Sequence, residues 1–212
     1  MIAAVVLSGP VLAVAQIPLA LEARVERIPA YVASAATICV LGLIAATLGY
    51  RRVGWAGLGL GPLPLGTWVA WTFGVTATAA ALVLGLHALR RRAGIPESPL
   101  LEELIPRTPR EKRVFAALSL AAGVGEEVAF RGYALGAFTL VLGWEWGAAV
   151  FTSVLFGLLH AYQGPLGMAR TALLGFLLAA SLLLSGSLWP AIAAHVALDL
   201  LGGLVWGERL TE

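Results

Sequence analysis

The sequence has few charged residues and almost no cysteine. Only 12% of its 212 residues are charged, whereas soluble domains carry about 25%, and 59% are hydrophobic. Cys39 is the only cysteine, which excludes an internal disulfide, a cysteine-built metal site and a cysteine nucleophile among the polar residues discussed below. No Lys or Arg precedes Arg24, so the first residues lack the basic start of a signal peptide. This composition indicates a membrane protein with a retained first segment.

Long uncharged runs predict membrane-spanning helices. Residues 1–21, 28–50 and 53–89 contain no Asp, Glu, Lys or Arg, and each run is long enough for a helix of about 20 residues to cross a bilayer. We predict an all-α, polytopic transmembrane helical bundle of about seven helices; the alternatives are an eighth helix or an added re-entrant piece. The predicted spans, separated by Gly/Pro breakers and polar loops, are about 2–20, 29–49, 67–89, 111–137, 144–161, 167–184 and 189–206.

The polar residues are unevenly distributed along this single predicted domain, residues 1–212. Residues 1–89 are apolar N-terminal helices, residues 90–113 form a loop with 7 of the 14 basic residues, and residues 111–206 form the predicted catalytic core. The positive-inside rule predicts that loop 90–113 is cytoplasmic. We expect an integral protein of a bacterial or archaeal cell membrane that binds the lipid bilayer and no nucleic acid.

The stretch GEEVAFRGY places three charged residues in a predicted span. Each costs about 2.5–3.5 kcal/mol at the bilayer centre on insertion scales. Glu127 and Arg131 are four residues apart, so they share one helix face and can form an ion pair. Glu126 points about 100° away from Glu127 and has no such partner on its own helix. Either all three residues have a structural role in helix packing, or Glu126 has a functional role.

Two further predicted helices repeat this four-residue spacing. FGLLH contains Phe156 and His160, and HVALD contains His195 and Asp199. Buried ionisable groups need partners, so we predict that Glu126, both histidines and Asp199 converge on one polar cavity. A glutamate facing a histidine can deprotonate water, and a second histidine can stabilise an oxyanion. The same four residues are competent zinc ligands, although H-E-x-x-H is absent, as is the serine motif G-x-S-x-G.

At these residues the sequence resembles the CPBP family of intramembrane proteases. That family includes the CAAX prenyl endopeptidases and the bacterial "abortive infection" proteins linked to bacteriocin processing and self-immunity. Its motifs are Glu-Glu-x-x-x-Arg, Phe-x-x-x-His and His-x-x-x-Asn or a related residue, on separate helices. Here they occupy residues 126–131, 156–160 and 195–199. The resemblance covers about residues 98–206.

The resemblance implies four catalytic residues. Glu126 would be the general base on water, aided by His160, and His195 with residue 199 would stabilise the oxyanion. This sequence has Asp199 where the prenyl endopeptidases have asparagine. An ionised aspartate donates no hydrogen bond. Asp199 would therefore act in its protonated form, by orienting His195, or as a metal ligand.

The resemblance also implies which residues surround the reaction. Glu127 and Arg131 would shape the site or meet the C-terminal end of the substrate, and Phe156 would shape the site. The family is commonly regarded as metal-independent, so we expect no cofactor. If zinc were bound, its ligands would come from His160, His195, Asp199 and Glu126.

We therefore predict a CPBP-type intramembrane endopeptidase. It would hydrolyse peptide bonds of a membrane-associated or lipidated peptide or protein. One alternative is a non-catalytic immunity or scaffold protein of the same fold, which would tolerate Glu126→Gln. Another is a transporter or proton relay that uses the same buried charges. The contrast between an uncharged first half and a charged second half argues against the inverted repeats common in transporters.

Overall fold

A computed structural model describes residues 26–207. Within this range the backbone is helical and contains no β-strand, which confirms the predicted all-α class. The predicted span 2–20 lies outside the described residues. The α-helices are α1 (Arg27–Gly57), α2 (Leu65–Arg92), α3 (Pro99–Glu103), α4 (Pro109–Glu127), α5 (Leu135–Leu142), α6 (Glu145–Leu159), α7 (Gly164–Ser185) and α8 (Trp189–Leu200).

Three short segments of other helical types complete the backbone. A π-helix at Val128–Ala134 joins α4 to α5, so these elements form one continuous stretch across the predicted span 111–137. A second π-helix, Leu201–Val205, extends α8, and a 3-10 helix, Ala161–Gln163, precedes α7. Single-turn π segments occur frequently at functional sites because the wider turn redirects side chains.

Two boundaries differ from the sequence-based expectation. Helix α1 runs past the end of the predicted span 29–49 to Gly57, with a kink at Gly54, where φ is 67° and ψ is 178°. Only glycine adopts this backbone conformation readily. The predicted basic loop 90–113 also contains the short helix α3, which begins with Pro99 at a position where a missing N–H is harmless.

The helices have the length and surface of a membrane protein. Helix α1, helix α2 and the stretch Ala161–Ser185 are each long and apolar enough to span a bilayer. Large apolar side chains are exposed on the first two, such as Leu43 at 69% and Phe73 at 75%. These surfaces would be unfavourable in water and are favourable against lipid. The protein is therefore integral to a membrane.

Glycines let the neighbouring helices approach α4 closely. A Cβ atom on Gly42 of α1 would lie 2.7 Å from the Cα of Gly125, and one on Gly123 would overlap Val196 of α8. Small residues of this kind drive helix packing in membranes because they allow close backbone contact. The close approach of α4 and α8 brings the first and third sequence motifs together.

Candidate active site

Glu127 and Arg131 form a buried ion pair on one side of the candidate site. Arg131 Nη1 donates to Glu127 Oε1 over 2.7 Å, and neither side chain is more than 1% exposed. The pair spans the junction of α4 and the π-helix, as expected from the four-residue spacing. The guanidinium carbon lies 4.3 Å from the centre of the Phe156 ring, a cation–π contact with α6.

Helix α7 closes the remaining side of this ion pair. A Cβ atom on Gly175 would lie 2.6 Å from Arg131 Nη2, so the guanidinium occupies the space that a larger residue would fill. Among residues 26–207, Nη2 has no hydrogen-bond partner. The charge of Arg131 is therefore enclosed by protein and balanced by Glu127, which makes this pair a fixed structural element.

Glu127 also holds His195 of α8. His195 Nδ1 lies 2.8 Å from Glu127 Oε1, the same oxygen that accepts from Arg131. Because a carboxylate can only accept, Nδ1 carries the proton in this contact. The bond fixes the orientation of the imidazole and turns its Nε2 edge away from Glu127. Sequence analysis paired Glu127 with Arg131 and missed this contact with the third motif.

Glu126 faces the other edge of the same imidazole. Its Oε2 lies 3.8 Å from His195 Nε2, and Asp199 Oδ1 lies 3.9 Å from that nitrogen. The Glu126 and Asp199 side chains are 15% and 35% exposed, so this edge of the site is open. Within the described residues Glu126 has no Lys or Arg partner. Of the two adjacent glutamates, only Glu126 lacks the compensation that Arg131 gives Glu127.

His160 reaches the site from the C-terminal end of α6. Its Nδ1 is 2.8 Å from the carbonyl oxygen of Phe156, so Nδ1 donates and Nε2 is left as an acceptor. The Phe156 ring lies between the two histidines, 4.7 Å from His160 and 6.2 Å from His195 between ring centres.

The three motifs therefore meet around Phe156, but the histidines are not equivalent. Within residues 26–207, direct contacts join Glu126 to His195, and none joins Glu126 to His160. The predicted pairing of Glu126 with His160 would have to run through water, and it stays a prediction.

The described residues do not form a ready metal centre. Between residues 26 and 207, no group of three or more His, Cys, Asp and Glu side chains could hold a metal ion. His195 commits one nitrogen to Glu127, and the other lies 3.8 and 3.9 Å from the nearest carboxylate oxygens. A zinc site needs about three protein ligands at roughly 2.0–2.2 Å. Metal independence remains a prediction about the functioning protein.

A second polar cluster, absent from the sequence-based prediction, adjoins His160. The Tyr162 ring lies 5.9 Å from the His160 ring, and Gln163 Nε2 donates to the Tyr162 hydroxyl over 3.1 Å. Arg170 Nη2 donates to Gln163 Oε1 over 3.0 Å, and Arg170 pairs with buried Glu97 at 3.5 Å. Arg170 is a charged residue in the otherwise apolar α7, and that contrast was a signal available in the sequence.

Comparison with known families identifies the segment that contains this site. Residues 111–201 match the family model described as Type II CAAX prenyl endopeptidase Rce1-like. Because of this similarity we call residues 111–201 the Rce1-like segment. The Rce1-like segment begins in the first turn of α4, ends one residue after α8 and contains all three motifs. It covers less than half of the chain and excludes α1 and α2. No curated protein and no solved structure gives a significant match.

The Rce1-like match confirms the resemblance stated from the motifs. It supports a CAAX-type intramembrane endopeptidase in general, and hence a hydrolase whose substrate is a peptide or protein at the membrane. It does not assign roles to individual residues, which rest on the site geometry.

Proposed function

We propose that this protein is an intramembrane endopeptidase in which Glu126 activates water. The observation that carries the proposal is the asymmetry of the two adjacent glutamates. Glu127 is fully buried and holds both Arg131 and His195, whereas Glu126 is partly open and has no basic side chain of Lys or Arg beside it in residues 26–207. A carboxylate with this freedom suits a general base.

The proposed reaction is addition of water to the scissile carbonyl. Glu126 takes a proton from water while the water oxygen bonds to the carbonyl carbon, and the carbonyl electron pair moves onto oxygen. The Nε2 of His160 accepts the second water hydrogen and holds the water in place. When the oxyanion collapses, the C–N bond breaks and the proton on Glu126 passes to the leaving nitrogen. No other reactant is required.

His195 supplies charge stabilisation in this proposal. Its Nδ1–H is committed to Glu127 over 2.8 Å, so the Nε2 edge has a fixed direction toward the reacting group. A proton on Nε2 would be donated to the oxyanion, as a preorganised donor should be. Asp199, four residues later and 3.9 Å from Nε2, would orient this edge. Glu127, Arg131 and Phe156 hold the site in shape.

The proposed substrate is a membrane-associated or lipidated peptide or protein. Glu126 and Asp199 are partly exposed beside helices with apolar outer surfaces, so a peptide already at the membrane can reach them. We further propose that loop 90–113 is cytoplasmic, because of its basic residues. Labelling of Glu103→Cys in a Cys39→Ser background from each side tests this orientation, and labelling only from outside would contradict it.

The test uses purified protein in phosphatidylcholine vesicles. Two fluorogenic peptides serve as substrates, one with a farnesylated cysteine near its C-terminus and one without the lipid. We expect wild-type protein to cleave at least one of them, and Glu126→Gln to lower the rate by about 10²–10⁴-fold. Glu103→Gln, a matched change at an exposed glutamate in α3, should have the wild-type rate.

Each alternative function predicts another result. A scaffold or immunity protein would cleave neither peptide. A transporter or proton relay would instead carry flux across the vesicle membrane, and Glu126→Gln would abolish that flux. Cleavage that is unaffected by Glu126→Gln would show that another group is the base.

A further inference from the structure

The site has fewer hydrogen-bond donors than the proposed reaction needs. An oxyanion is usually stabilised by two or more donors, and His195 Nε2 would be one when it carries a proton. Asp199 stands where the related prenyl endopeptidases have an amide, and its Oδ1 is directed at His195 Nε2 from 3.9 Å. A carboxylate in this position offers acceptors. If Asp199 has the orienting role proposed above, a second donor comes from another residue.

Tyr162 lies beside His160 at the candidate site. Tyr162 is in the 3-10 helix that follows His160, with its ring 5.9 Å from the His160 ring. Tyr162 is two residues after His160 in the chain, so the same short segment carries both side chains. Tyr162 therefore stands beside the histidine that would hold the attacking water.

The orientation of the Tyr162 hydroxyl follows from Gln163. The Gln163 Oε1 accepts from Arg170 Nη2 at 3.0 Å and from Thr171 Oγ1 at 3.4 Å, which identifies the other amide atom as the nitrogen. That nitrogen donates to the Tyr162 oxygen over 3.1 Å. Within residues 26–207 the hydroxyl hydrogen has no acceptor of its own. The Tyr162 hydroxyl oxygen thus accepts a hydrogen bond from Gln163, and its hydroxyl hydrogen is left to donate to another group.

The position of Tyr162 is also fixed from the basic loop. Ser98 Oγ donates to the Tyr162 carbonyl oxygen over 2.6 Å, and Glu97, the preceding residue, pairs with Arg170. Both the backbone and the hydroxyl of Tyr162 are therefore held by hydrogen bonds. A donor that is held before the reaction costs little reorganisation when charge develops.

We propose that Tyr162 is a catalytic residue whose hydroxyl donates a hydrogen bond to the oxyanion formed at the scissile carbonyl. The inference rests on the proposed endopeptidase function and deepens it. No proton is transferred, so the atom balance of the hydrolysis is unchanged. Gln163 is a positioning residue that acts through Tyr162 by holding the hydroxyl oxygen.

The test compares variants in the vesicle assay with the two fluorogenic peptides. Tyr162→Phe keeps the ring beside His160 and removes only the hydroxyl, so we expect kcat to fall by about 10²–10³-fold with little change in KM. Gln163→Leu should lower kcat by a smaller factor. In the double variant Gln163→Leu should have little further effect, because its target is already absent. Tyr50→Phe, at an exposed tyrosine of α1, should match wild type.

The outcomes separate this inference from the proposed function. If Glu126→Gln abolishes cleavage and Tyr162→Phe keeps the wild-type kcat, the role of Tyr162 is wrong and the endopeptidase stands. Additive losses in the double variant would overturn the positioning role of Gln163. If wild-type protein cleaves neither peptide, the proposed function fails and this inference fails with it. Thermal unfolding in detergent should give the same midpoint for Tyr162→Phe and wild type, and a lowered midpoint with proportionate loss of folded protein would count against a catalytic role.

Discussion

The two long helices α1 and α2 and the Rce1-like segment lie in the same membrane but satisfy their polar groups differently. Only 17% and 11% of the most apolar windows of α1 and α2 are buried, against 33% for Ala161–Ser185. In α1 and α2, Thr37, Thr47 and Thr78 donate to the carbonyl oxygen four residues earlier on the same helix. These bonds need no neighbour.

The Rce1-like segment has such local bonds too, as Thr139 and Ser153 show, but its charged residues also make contacts that cross between helices. Glu127 of α4 accepts from His195 of α8, 68 residues away, and Arg131 stacks on Phe156 of α6. Such contacts form only when the whole bundle is assembled, and each would be costly if left incomplete. We therefore expect α1 and α2 to tolerate substitution better than the Rce1-like segment, which contains the candidate site. Replacing one partner of a contact at a time tests this difference.

The largest expected effect on stability comes from breaking the buried ion pair. Glu127→Gln or Arg131→Ala leaves one buried charge unpaired, which costs about 3–5 kcal/mol of the free energy of unfolding. Arg51→Ala, at an exposed arginine of α1, should cost less than about 0.5 kcal/mol. Denaturant titration of purified protein in detergent measures both. Equal small losses at Arg131 and Arg51 would contradict the difference drawn between the two regions.

Much of the fold could be predicted from the sequence because its causes are local. Uncharged runs and Gly/Pro breakers placed the spans later seen as α1, α2, α6 and α7 within a few residues, apart from the extension of α1 to Gly57. The ion pair of Glu127 with Arg131 followed from helical spacing alone. The convergence of the motifs followed from the cost of leaving them in lipid.

The missing parts depend on tertiary contacts that spacing does not determine. A π-helix such as Val128–Ala134 arises where packing shifts the backbone register, so the sequence gives no periodic sign of it. The bond between Glu127 and His195 requires α4 and α8 to touch, which depends on Gly123. The cluster around Tyr162 was missed because Arg170, although inside the predicted span 167–184, pairs with Glu97, 73 residues away, which helical spacing cannot predict.

A smaller effect should follow from filling the space between α4 and α8. A Cβ atom on Gly123 would overlap Val196 and lie 3.1 Å from its backbone nitrogen, and backbone cannot move aside easily. Gly123→Ala should therefore cost about 1–3 kcal/mol and lower cleavage by loosening the contact between Glu127 and His195. Gly85 of α2 is the matched control, because a Cβ atom there meets nothing within 4 Å.

The control variant should not lower the free energy of unfolding. Gly85→Ala should be neutral or raise the free energy of unfolding by up to about 1 kcal/mol, since alanine favours a helix more than glycine does. Denaturant titration of Gly85→Ala and Gly123→Ala in the same detergent compares their free energies of unfolding. If Gly85→Ala destabilises as much as Gly123→Ala, the first two helices pack as specifically as the Rce1-like segment, and the comparison fails.

The smallest expected effect is that of removing metal. We expect dialysis of active, detergent-purified protein against a strong chelator to leave cleavage unchanged, because among residues 26–207 no three His, Cys, Asp or Glu side chains are arranged to hold a metal ion. In zinc sites a carboxylate commonly binds the far nitrogen of a ligating histidine, so the contact of Glu127 with His195 suits a metal as well as an oxyanion. Elemental analysis before and after dialysis separates the two. Stoichiometric zinc, with cleavage lost on its removal and restored on its return, would reassign His195 and Asp199 from charge stabilisation to coordination. The polar residues of the Rce1-like segment would then form a metal centre, and this segment would differ from α1 and α2 in binding a metal ion as well as in its polar contacts between helices.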